Sequence, residues 1–100
     1  MEKSYDNIPL NQIEKQKRYF YGAIINVLYL WESNSPLVDA TIQTLINQIV
    51  GSNRLFGYQP EVLTIVSNLE TARKVPTQFR KCILDAANLV DKLEGGDFNV

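Results

Sequence analysis

The sequence predicts an all-α fold, an antiparallel up-down four-helix bundle, and three observations carry that prediction. Apolar residues recur at alternating spacings of three and four along four separate segments, the period of a helix with one buried face. Proline stands at the opening of three of these segments, at Pro36, Pro60 and Pro76, where its missing N–H costs nothing. No segment alternates apolar and polar residues between turn signals, as a half-buried strand would. The connections are short, which favours antiparallel neighbours.

The first helix is centred on Tyr19–Trp31, YFYGAIINVLYLW, in which only Gly22 and Asn26 are neither apolar nor aromatic. Such a run spans roughly 20 Å as a helix, short of the roughly 30 Å hydrocarbon core of a bilayer. Lys15, Lys17 and Arg18 close one end and Glu32 the other, so it does not cross a membrane by itself. Leu10, Ile13, Lys17, Phe20, Ile24, Val27 and Trp31 form a packing seam broken only by Lys17, and Tyr21, Ile25 and Leu28 widen it. Lys15, Tyr19, Gly22, Asn26, Tyr29 and Ser33 lie opposite and are expected at the surface.

The second helix is expected to open with Ser35 as N-cap and Pro36 at the first helical position, with Asp39 near the positive helix end. Val38, Ile42, Leu45, Ile46, Ile49 and Val50 make its stripe, while Thr41, Gln43, Thr44, Asn47 and Gln48 face away. Two endings are open: a stop at Gly51, or continuation through Leu55 and Phe56 to Gly57. Pro60 and Glu61 open a short third helix with Val62, Ile65, Val66, Leu69 and Ala72 on one face. Pro76 breaks it and can start the fourth, which carries Phe79, Cys82, Ile83, Ala86, Val90 and Leu93 and is expected to stop at Gly95-Gly96.

One hundred residues make a single domain, 1–100, with a short polar N-terminal segment, 1–8, and a loose C-terminal tail, 95–100. At 45% hydrophobic and 21% charged residues the composition is that of a globular protein. Ten basic side chains against eleven acidic ones give a net charge of −1, so no general field draws the chain to nucleic acid. The single cysteine forbids an internal disulfide, and the polar, mixed-charge start is not that of a signal peptide, so a cytoplasmic location is expected.

The chain contains no histidine, which removes His-based acid–base catalysis, the usual nucleophilic triads and most zinc sites. Neither a P-loop nor a dinucleotide-binding glycine motif occurs. Cys82 falls on the core stripe of the fourth helix and reads as an inert buried thiol. Asp85 and Asp91 lie off that stripe and read as solvated, while the helix faces that would have to hold a metal centre are apolar. No catalytic residue, metal or cofactor is therefore expected, and the chain reads as a binding protein rather than an enzyme. Arg73, Lys74, Arg80 and Lys81 gather around the third connection, either as a solvated helix end or as a docking patch for an anionic surface. Tyr19 and Tyr29 on the outer side of the first helix, with Phe98 in the tail, are the aromatic candidates for a partner surface.

The plan resembles that of the immunity proteins for pediocin-like (class IIa) bacteriocins of Gram-positive bacteria. The local matches are the second-helix run TLINQIV and the last helix, VPTQFRKCILDAANLVDKLEGGD. The resemblance implies a cytosolic bundle that shields a producing cell from its own pore-forming peptide, acting at the membrane sugar-transporter complex that serves as the peptide's receptor. It also implies that the C-terminal half recognises the target, through Arg80, Lys81 and Asp85 and then Asp97, Phe98, Asn99 and Val100. Two other classes stay open beside it: a small adaptor or regulatory bundle using the Tyr19 and Tyr29 face, and a nucleic-acid-binding regulator using the basic connection. Peripheral contact with a membrane and pairing of two copies are likewise open.

Overall fold

The structure, a computed structural model, describes residues 2–94, with side chains from Gln12 to Glu94. Four helices follow one another: α1, Glu2–Glu32; α2, Val38–Gly51; α3, Pro60–Lys74; and α4, Phe79–Lys92, which is entered through a 3-10 turn at Pro76–Gln78. No strand occurs among the described residues. The fold is an all-α bundle whose helices pack as a ring, each on its neighbours in sequence and α4 back on α1. The packing is most extensive between α3 and α4 and between α1 and α4, and least between α1 and α2.

The helical spacings translate into burial. Phe20, Ile24 and Val27 of α1, Ile42, Leu45, Ile46 and Ile49 of α2, and Val62, Ile65, Leu69 and Ala72 of α3 enter one continuous core. From the last helix Phe79, Cys82, Ile83, Ala86 and Val90 join it, as does Leu93 just beyond α4. Among the described residues no polar or charged side chain is buried. Two expected stripe positions sit at the rim instead. Val50 is 48% exposed because it lies about 80° round α2 from Ile42, beyond the edge of the packed face. Tyr21, offset by about 100° from Phe20, keeps its phenol in solvent.

The helix ends show where local chemistry departs from the pattern. α1 begins at Glu2, so it takes in most of the segment set apart as 1–8, and it ends in a Schellman motif. Asn34, in the left-handed region at φ 59°, donates its N–H to Trp31, and Ser35 donates its N–H to Leu30. Ser35 therefore completes the end of α1, and α2 starts two residues later than expected, at Val38 with Leu37 as its N-cap. The Ser35 hydroxyl still accepts the Leu37 N–H at 3.1 Å.

Both glycines weighed for the end of α2 are stops. The regular helix ends at Gly51, and a run of tight turns then closes in a second Schellman motif. There Gly57, at φ 66°, donates to Arg54, and Tyr58 donates to Asn53. That turn folds Phe56 into the core against Phe20, with ring centroids 6.5 Å apart. Gln59 is the extended N-cap of α3 and Pro60 its first residue, as proline chemistry predicts. The regular helix α4 stops at Lys92 rather than at Gly95-Gly96, which lie outside the described residues. The stop comes early because Leu93 turns to an extended conformation while its side chain stays in the core. The Gln59 amide then holds the Glu94 backbone, donating to its carbonyl and accepting its N–H.

Candidate functional site

Two surfaces contain the residues singled out from the sequence that the structure describes. The first is the end of the bundle where the C-termini of α1 and α3 meet the N-termini of α2 and α4. Arg73, in the last turn of α3, donates from Nε and Nη2 to the two carboxylate oxygens of Asp39 at 2.7 and 3.0 Å, and from Nη1 to Gln43 at 2.6 Å. A planar guanidinium matches a carboxylate in this two-point way. The hydrogen bond from Arg73 holds the Asp39 carboxyl below its usual range against a smaller opposing effect of desolvation, and the same bond raises the proton affinity of Arg73. Arg73 thus ties α3 to α2.

Its neighbours on this end are paired in the same manner. Arg80 of α4 donates to Glu32 at the end of α1. Lys81 donates to Asp85 one turn along α4 at 2.9 Å, which raises the pKa of the ammonium. Lys74 is exposed and borders a shallow cleft with Asp39, Glu70 and Arg73. The four cations expected to form a basic patch are therefore interleaved with Glu32, Asp39, Glu70 and Asp85, and three of them hold a carboxylate directly. Below them Trp31 stacks on Phe79, with centroids 4.5 Å apart and ring planes 11° apart, beside a cleft of about 280 Å³ that Arg73 and Pro76 also line.

The second surface is the junction of α1 and α2. Tyr19 donates its phenol hydrogen to Gln48 at 3.0 Å, and Gln16 donates to Ser52 at 3.3 Å. Between the helices runs an open groove of about 650 Å³ lined by Tyr19, Gly22, Ala23 and Asn26 of α1, by Leu37, and by Ala40, Thr41, Thr44, Leu45 and Gln48 of α2. Arg18, at one end, is the only charged residue of that lining. Tyr29 is 67% exposed one turn beyond Asn26. Tyr19 and Tyr29 thus lie on this surface while Arg73, Lys74, Arg80, Lys81 and Asp85 lie at the bundle end. Phe98, with Asp97, Asn99 and Val100, lies outside the described residues.

The pairing of the basic cluster with Glu32 and Asp39 on other helices, and the groove itself, are absent from the sequence reading. Arg73 and Asp39 are thirty-four positions apart, and periodicity does not say which helix ends meet. The groove had a signal in the sequence, since no charged residue occurs from Ala40 to Asn53 although half of that segment faces water. Chemically, both surfaces offer recognition by shape and hydrogen bonding. Among the described residues no group of three or more His, Cys, Asp or Glu side chains is placed to hold a metal, and Cys82 is buried. No described helix is long and apolar enough to cross a membrane. No protein-family model matches the chain, and no match was found among curated proteins or solved structures.

Proposed function

We propose that the chain is a bacteriocin immunity protein, a non-enzymatic cytoplasmic bundle that protects a cell from a pore-forming peptide by binding the membrane receptor assembly on which the peptide acts. The observation that carries a binding role is that no polar or charged residue is buried in the core among the described residues, which leaves specificity to the outer faces. The resemblance of TLINQIV and of the last helix to the class IIa immunity family supplies the finer reading. The outer side of α4, with Arg80, Lys81 and Asp85 exposed or half-exposed beside Lys74, is the recognition surface in this proposal. The pairings Arg73–Asp39, Gln59–Glu94 and Arg80–Glu32 each join the C-terminal end of one helix to the N-terminal end of another and support the antiparallel up-down order.

The charge-poor face between α1 and α2, with Arg18 at one end of its groove, favours a second reading, an adaptor bundle that binds a soluble protein through Tyr19 and Tyr29. One experiment separates the two. The gene is expressed in a bacteriocin-sensitive Gram-positive strain, and killing by a panel of pediocin-like peptides is compared with an empty-vector control. Selective protection against one or a few peptides supports immunity. Uniform sensitivity, with the protein present at high level, rejects it in favour of the adaptor.

A further inference from the structure

The distribution of charge around the bundle is uneven. No Asp, Glu, Lys or Arg occurs from Tyr19 to Trp31 or from Ala40 to Asn53, and these two segments border the groove between α1 and α2. Solvated helix faces ordinarily carry charges of both signs, whereas depletion of charge marks the centre of a protein interface. The groove floor is open at Gly22, where an added Cβ would meet no atom within 4 Å. A side chain from outside has room to enter there.

The outer row of α1 indicates which molecule supplies it. Lys15, Tyr19, Gly22, Asn26, Tyr29 and Ser33 are all exposed, and their spacings of four, three, four, three and four read the same from either end. A second α1 laid antiparallel along this row, about a twofold axis midway between Gly22 and Asn26, brings Tyr29 of one copy beside Tyr19 of the other. Gly22 then faces Asn26, which lets the helix axes approach closely. Lys15 meets the C-terminal end of the opposing α1, at Ser33, where the helix dipole places roughly half a negative charge. Lys15 is the only charge in the row, so the arrangement opposes no like charges. A twofold interface requires this kind of self-complementarity, because one patch must fit itself.

We propose that the α1–α2 face is the interface of a symmetric homodimer in which Tyr29 of each copy fills the groove beside Tyr19 and Gly22 of the other. Tyrosine suits the role, since it covers a large area at little entropic cost and keeps a hydroxyl for the polar rim. The proposal is independent of the immunity reading and is tested on the isolated chain.

Sedimentation equilibrium over a concentration series should give twice the 11.4 kDa mass of the chain at the upper end. Gly22→Gln, which a single chain accommodates in open space, should retain the wild-type circular dichroism and raise the dimer dissociation constant by about tenfold or more. Leu63→Gln, on the exposed side of α3, should leave that constant unchanged. In the Tyr19→Cys, Tyr29→Cys double variant, the two positions are about 15 Å apart along one helix and too far apart to bridge within a chain. Mild oxidation should nevertheless produce a covalent dimer from it, and neither single variant should do so. A single-chain mass at every concentration overturns the proposal and leaves the face to a different protein. A dimer indifferent to Gly22→Gln, or one that does not cross-link through positions 19 and 29, overturns it as well.

Discussion

Arg73 shows how much one side chain contributes when its geometry is shared between two helices. Its side chain is 25% exposed while that of Asp39 is 72% exposed, so solvent screens the pair and its effect on stability is modest. The pH dependence nevertheless has a definite sign. Because folding lowers the Asp39 pKa, the pair contributes fully above the ordinary carboxylate value of 3.8, and that contribution is lost as pH falls through the lowered value. An NMR titration should therefore place the Asp39 carboxyl below its usual range in the wild type and return it upward in Arg73→Met; equal values would show that the pair does not form in solution. Phe56 is the residue-scale contribution of the opposite kind. It is 1% exposed although it lies in a turn, and its ring meets Phe20. Phe56→Ala should cost about 3–5 kcal/mol in denaturant unfolding, a large part of the stability of a domain this size. A loss below about 1 kcal/mol would mean that the turn does not seat the ring.

At the scale of elements, the segment from Gly51 to Tyr58 explains both what the sequence made legible and what it did not. The stripes Phe79, Cys82, Ile83, Ala86, Val90 and Leu93, and Val62, Ile65, Leu69 and Ala72, were readable because burial repeats with the helical turn. Asn34, Gly57 and Gln59 were harder to place because each acts through backbone groups several residues away or on another helix. The start of α2 moved to Val38 for the same reason, since Ser35 serves both as the closing donor of α1 and as a cap for Leu37. The candidate site was legible only as residue types: the basic cluster was visible, its carboxylate partners on other helices were not. The two glycines turn this distinction into a prediction. Gly51 lies in α2 with open space around its Cβ position, so Gly51→Ala should stabilise by a few tenths to about 1 kcal/mol. Gly57 holds φ 66°, which an alanine adopts only with strain, so Gly57→Ala should destabilise by about 1–2 kcal/mol. Thermal melts of the two variants should move in opposite directions, and a shift of the same sign in both would contradict the assigned helix end.

Across the whole molecule, each pair of neighbouring helices is joined by the shared core and by at least one polar link at or near an end: Tyr19–Gln48, Arg73–Asp39, Gln59–Glu94 and Arg80–Glu32. The division of labour between core and surface makes the outer side of α4 separable from the fold. In Arg80→Glu with Lys81→Glu, the new carboxylates face Glu32 and Asp85, so two exposed attractions become repulsions. Exposed pairs of this kind are worth about 0–1 kcal/mol each, and the Arg80 and Lys81 side chains are 63% and 72% exposed, so helical content should be unchanged and the melting temperature only a few degrees lower. Protection in the sensitive strain should fall sharply if recognition uses this side of α4. The neutral double variant Arg80→Gln with Lys81→Gln then separates two causes: loss of protection there as well assigns the effect to the missing cations, and retention assigns it to repulsion by the introduced carboxylates. Full protection by the folded charge-reversed variant would remove the outer side of α4 from the mechanism and move recognition to another face of the bundle.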